Sequence, residues 1–114
     1  MRTIVLDTSA LIAGFNPLSI SETQYSVPAV KKELVPNSMP WTRFNAAVEN
    51  RRLIVRTPRS SSLQEVREAS GRVGDARYLS EADLQVLALA LELKNVGLHP
   101  LIVTDDYSIQ NVAN

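Results

Sequence analysis

The chain has 114 residues, enough for one domain built on a single core. Its 45% hydrophobic and 21% charged content excludes an intrinsically disordered chain, and 12 basic residues against 12 acidic ones give no bulk charge that would point to a polyanionic partner. The absence of cysteine excludes disulfides, thiol nucleophiles and Cys-ligated zinc or iron–sulfur sites. Only four residues separate Met1-Arg2 from Asp7, too few for a signal region. The apolar stretch from Leu84 to Leu91 is broken by Gln85 and is too short to span a bilayer. A soluble, cytoplasmic protein with no membrane contact is the expectation.

In chain order, Thr3-Ile4-Val5-Leu6 is a short apolar run that reads as a buried strand ending at Asp7. Thr8 to Ala13 follows as a short helix stopped by Gly14 and Asn16-Pro17. Residues 16 to 24 read as a polar loop. Tyr25-Ser26-Val27 is extended, because Val27 precedes a proline, and Pro28 then opens a helix that runs through Glu33 until Pro36 stops it. Pro36 to Pro40 reads as a turn-rich linker, Trp41 to about Asn50 as a helix, and Leu53 to Arg56 as a second core strand.

Ser62 and Glu65 have capping-box spacing and predict a helix that ends near Gly71 or Gly74. Ser80 and Asp83 repeat the spacing ahead of a helix from residue 81 to about 95, closed by Gly97. That helix is apolar on nearly all sides, so it is expected to pack on more than one face. A strand at 101 to 104 and a short helix from about Tyr107 complete the alternation. The pattern predicts a three-layer α/β/α sandwich around a parallel sheet of about four strands.

In such a sheet the carboxyl ends of the strands share one edge, where ligands bind. Asp7 ends the first strand, Asp105 and Asp106 follow the last one, and Glu33 and Asp83 fall at helix positions that could complete a cluster. Carboxylates gathered there repel unless a cation sits among them, and an all-oxygen site favours Mg²⁺ or Mn²⁺ over zinc. Each acid also has a plainer explanation. Asp7 suits the cap of the helix at Thr8, Asp83 suits a capping box with Ser80, Glu33 lies beside Lys31 and Lys32 on a solvated helix, and Asp105 and Asp106 suit a turn. Those explanations do not require the acids to meet on one edge.

The residues also carry a family resemblance. Asp7-Thr8-Ser9-Ala10-Leu11-Ile12, the helical Glu33, Asp83 with Val86 to Ala90, and Val103-Thr104-Asp105-Asp106 resemble the four acidic motifs of the PIN-domain nucleases. Gly74-Asp75 through Leu79-Ser80-Glu81-Ala82-Asp83, and Thr104-Asp105-Asp106-Tyr107-Ser108-Ile109-Gln110-Asn111-Val112-Ala113, are similar to the Nob family. Those endoribonucleases mature the 3′ end of small-subunit ribosomal RNA. The resemblance implies that Asp7, Asp83 and one or both of Asp105 and Asp106 hold one or two divalent ions. Glu33 would be a further ligand or a base, with Ser9 and Thr104 as supports of the acids. It implies single-stranded RNA as substrate, namely precursor rRNA of the small ribosomal subunit, and products with a 5′-phosphate and a 3′-hydroxyl. Family members continue into a final strand and a Cys-rich zinc ribbon, so residues 1–114 are expected to be the PIN domain without that strand.

Residues 51 to 62 hold Arg51, Arg52, Arg56 and Arg59 and no acid, a candidate RNA contact or a solvated strand edge. Three other functions fit less well or differ in class. A toxin-type PIN ribonuclease keeps the fold and reaction, and a non-catalytic assembly factor would bind rRNA through the arginines alone. A phospho-acceptor receiver domain is disfavoured because Leu53 to Arg56 carries no acid at its end. His99, in Gly97-Leu98-His99-Pro100, reads as a loop residue.

Overall fold

The first apolar run becomes the strand around which the domain is assembled. In the computed structural model, which describes residues 2–73 and 79–104, the elements are β1 (Arg2–Leu6), α1 (Thr8–Ile12), a 3-10 turn (Pro17–Ser19), β2 (Thr23–Ser26) and α2 (Pro28–Glu33). They continue with α3 (Met39–Glu49), β3 (Leu53–Val55), α4 (Ser60–Val73), α5 (Glu81–Asn95) and β4 (His99–Val103). The four strands are all parallel, in the order β3-β2-β1-β4. β1 has a neighbour on each side and is covered on both faces, and Thr3, Ile4, Val5 and Leu6 are accordingly all buried.

The chain steps from β1 to β2 to β3 in one direction and then returns across the sheet to β4. With right-handed crossovers, the connections before β3 and the α4–α5 connection after it fall on opposite faces, the arrangement of a three-layer sandwich, with α2 reaching α5. α3 packs against β3, whereas α5 packs against β1, β4 and α4 and also touches α2. This explains why Ala82, Val86, Leu87, Ala88, Leu89, Ala90 and Leu93 of one helix are all buried. Among the described residues, no helix is long and apolar enough to cross a membrane.

Several boundaries differ from expectation for local reasons. β2 starts at Thr23, because Thr23 and Gln24 pair with Thr3 and Ile4. The Gln24 amide donates to the Pro17 carbonyl at 2.7 Å, which makes a polar residue acceptable at a fully buried position. α3 begins at Met39, with the Ser38 hydroxyl accepting from the Trp41 N–H and Pro40 in the first turn, where it lacks no helical bond. α4 begins at Ser60, so Ser62 lies inside the helix and is not its cap.

Leu53 to Val55 is not a core strand. It forms one edge of the sheet, with Leu53 buried but Ile54 and Val55 exposed. β4, the other edge among the described residues, starts at His99 and includes Pro100, which an edge strand tolerates because its N–H is not needed on an unpaired side of the ladder. His99 is thus an exposed strand residue instead of a loop residue. Asp105, Asp106 and the helix expected from Tyr107 lie outside the described residues, as does Gly74-Asp75.

Candidate active site

The carboxyl end of β1 delivers Asp7 into the interior. Its N–H donates to the Val103 carbonyl at 3.2 Å, which extends the β1–β4 ladder by one rung, and its side chain is only 1% exposed. Asp7 occupies the cap position of α1 with an extended backbone, yet it makes no capping hydrogen bond to the helix. The plain reading of Asp7 as a helix cap is therefore not what the side chain does.

Its Oδ2 accepts from the Thr104 hydroxyl at 2.7 Å and from the Ser9 hydroxyl at 3.1 Å, and the two hydroxyl oxygens lie 2.9 Å apart. Its Oδ1 is buried and has no hydrogen-bond partner among the described residues. A buried carboxylate oxygen without a donor is costly unless something positive meets it. Ser9 and Thr104, expected to support the acids, both touch Asp7 in this way.

Glu33 ends α2, 26 residues later in the chain, and is brought back by Thr8, whose hydroxyl donates to Glu33 Oε1 at 2.8 Å. Thr8 is buried while Glu33 is exposed, so a fixed hydroxyl beside Asp7 anchors an otherwise free carboxylate. Sequence reasoning named Ser9 and Thr104 as supports of the acids and missed this role of Thr8. The only signal was its adjacency to Asp7, because the approach of α2 is a tertiary event.

Asp83 occupies the third position of α5 and is 7% exposed. Its Oδ2 accepts from the Ser80 N–H at 2.9 Å, and its own N–H donates to the Ser80 hydroxyl at 3.1 Å, so the predicted capping box is formed. The same helix turns through residues 96 to 98 directly into β4. Since β4 runs parallel to β1, α5 runs back from the carboxyl edge of the sheet, and its first turn belongs to the side of the domain where Asp7 ends β1.

The described residues thus connect Asp7 with Glu33 through Thr8 and direct Asp83 to the same edge. Among them, no group of three or more His, Asp or Glu side chains is arranged to hold a metal ion. The remaining expected ligands, Asp105 and Asp106, lie outside the described residues. Among the described residues, Asp7 Oδ1 is the buried carboxylate oxygen left without a partner.

The four arginines do not form one patch. Arg51 and Arg52 precede β3 at the amino edge of the sheet, Arg51 in a turn with φ of 59° and Arg52 donating from Nη2 to the Ile20 carbonyl at 2.9 Å. Arg56 follows β3 at the carboxyl edge, with its guanidinium 5.2 Å from the centre of the Tyr25 ring. The Arg59 N–H donates to Glu92 on α5.

Residues 4–93 match the family model described as the PIN domain of ribonuclease. This chain belongs to the PIN-domain family. The PIN domain is 35% identical over 113 residues to Endoribonuclease Nob1 of Methanocaldococcus jannaschii, an alignment covering 99% of this chain and 52% of that protein. It is 37% identical to Ribonuclease VapC3 of Aeropyrum pernix, covering 98% of this chain and 79% of the relative. It is 33% identical to the 20S-pre-rRNA D-site endonuclease nob1 of Schizosaccharomyces pombe, covering 80% of this chain and 23% of that protein. The chain therefore spans about half the length of the archaeal Nob1 relative.

Proposed function

We propose that this PIN domain is a metal-dependent endoribonuclease that cleaves single-stranded RNA, with precursor rRNA at the 3′ end of the small subunit as its substrate. The observation that carries the reading is Asp7, a buried carboxylate whose Oδ2 is held by two hydroxyls while Oδ1 has no partner among the described residues. Asp7, Asp83 and one or both of Asp105 and Asp106 would hold Mg²⁺ or Mn²⁺. A divalent ion at such a site acidifies water and neutralises charge on the leaving oxygen of a phosphodiester.

The protein's own side chains prepare that chemistry. Ser9 and Thr104 lock Asp7 in one rotamer, so Oδ1 is presented without further ordering. Thr8 holds Glu33 through Oε1 and leaves Oε2 as the acceptor for a proton from water. Ser80 fixes Asp83 at the amino end of α5 through the reciprocal capping bonds. Cleavage then leaves a 5′-phosphate and a 3′-hydroxyl, in the cytoplasm where precursor rRNA is accessible.

The choice of rRNA rests on the Nob1 relatives, among them a protein named as a 20S-pre-rRNA endonuclease. A second reading, a toxin-type PIN ribonuclease, is favoured by the VapC3 match, which this chain covers over most of that protein's length. Incubation of a precursor small-subunit 3′ fragment and an unrelated single-stranded RNA with the protein decides between them. Selective cleavage of the precursor, lost in EDTA and in Asp7→Asn, supports the rRNA reading. Equal cleavage of both RNAs with growth arrest on expression supports the toxin reading, and cleavage that persists in EDTA rejects metal dependence.

A further inference from the structure

The register of the sheet places a fixed positive charge on the same row as Asp7. Val5 pairs with Tyr25, Tyr25 with Ile54 and Ser26 with Val55, and the Arg56 N–H donates to the Ser26 carbonyl at 3.0 Å. Asp7, Val27 and Arg56 therefore each stand one residue beyond the end of their strand. With neighbouring strands ~4.8 Å apart, the Arg56 backbone lies about 10 Å from that of Asp7 across the carboxyl edge.

The Arg56 side chain is exposed but not loose. Arg56 and Tyr25 are diagonal neighbours on adjacent strands, the guanidinium sits 5.2 Å from the ring centre, and the ring itself is buried. Among the described residues no acid forms an ion pair with Arg56. A guanidinium stacked on an aromatic face keeps its N–H edge available, and that planar fork matches two phosphate oxygens. Two of the other arginines differ. Arg51 and Arg52 are at the opposite edge, and Arg52 is committed to the Ile20 carbonyl.

We infer that Arg56, held on Tyr25, is a phosphate-binding subsite that takes a backbone phosphate neighbouring the one cleaved at Asp7, so that single-stranded RNA runs along the carboxyl edge from β1 toward β3. This rests on the endoribonuclease reading and adds the path of the substrate. It assigns Arg52 a structural task, tying the segment before β2 to the start of β3.

The test is the affinity of the full chain for a short fluorescent single-stranded RNA, measured by anisotropy in EDTA over a range of salt. Arg56→Ala is expected to weaken binding about fivefold and to lower the slope of log K against log salt by ~0.7, the signature of one lost single-strand phosphate contact. Arg56→Lys restores the slope, since the charge returns, but not the full affinity. Arg52→Ala leaves both unchanged. In cleavage with Mn²⁺, one neutral methylphosphonate linkage beside the scissile phosphate raises KM for the wild type and not for Arg56→Ala. The inference is overturned if Arg56→Ala binds with wild-type affinity and slope, if Arg52→Ala loses as much, or if the wild type has no measurable affinity. Because binding is read without metal, an Arg56 effect with no metal-dependent cleavage keeps the subsite and rejects the nuclease.

Discussion

Asp7→Asn separates the cost of the site from its use. Asp7 is 1% exposed, and among the described residues it has two hydroxyl donors on Oδ2 and none on Oδ1. Replacing a buried carboxylate by a neutral amide relieves the cost of keeping a charged group out of water, a few kcal/mol for such groups in general. Against this, two charge-assisted hydrogen bonds become neutral ones, a loss of about 1 kcal/mol each, because bonds to charged groups are worth roughly twice as much. The negative charge at the start of α1 is also lost, worth about 0.5 kcal/mol. The new amide must turn its oxygen to the two hydroxyls and leaves Nδ2 buried where Oδ1 has no partner, at a cost of about 1–3 kcal/mol, so the terms nearly cancel and the variant is expected to melt within about 4 °C of the wild type without metal.

Saturating Mn²⁺ should separate the two proteins. A ligand at 100 times its Kd stabilises the native state by about 2.7 kcal/mol, and only the wild type keeps the carboxylate to receive it. Thermal melts of both proteins by circular dichroism, in EDTA and in Mn²⁺, read the two effects directly. If both proteins gain equally from Mn²⁺, the reasoning that Asp7 is held ready for a cation is refuted.

Two further predictions follow from the hydrogen bonds around the acids. Thr8→Val should cost about 1 kcal/mol of stability and lower the cleavage rate by releasing Glu33, and its effect on rate should not add to that of Glu33→Gln, because both remove the same anchored carboxylate; additive losses in that double-mutant cycle would separate Thr8 from Glu33. Ser80→Ala should lower stability by about 1 kcal/mol through loss of the cap on α5, whereas Asp83→Asn keeps an acceptor for the Ser80 N–H and should be the milder change; denaturant titrations that rank them the other way would contradict the capping role of Ser80.

The elements themselves were legible locally. The run Thr3 to Leu6, the proline before α2, the Ser80–Asp83 box and the all-apolar α5 each declare themselves through contacts within a few residues, and each forms as expected. The misreadings were also local in origin. Pro40 and Pro100 were taken as boundaries because proline breaks regular structure in general, but a first helical turn and a sheet edge both accept it. Leu53 to Val55 looked like core because apolar runs carry no mark of whether a strand is central or peripheral.

The site belongs to another scale. Sequence alone identified Asp7, Glu33 and Asp83 as candidates, and their residue types suggested a cation. Whether Asp7 caps α1 or turns inward depended on Thr104, which arrives 97 residues later, just past the end of a strand paired with β1. The anchoring of Glu33 by Thr8 depended on where α2 leaves the sheet, and the split of the four arginines between two edges depended on which end of β3 each flanks. Local sequence determines what each segment can become, because backbone preference and periodicity act over a few residues. Only the tertiary structure decides which side chains meet, because strand order and register bring distant segments to one edge.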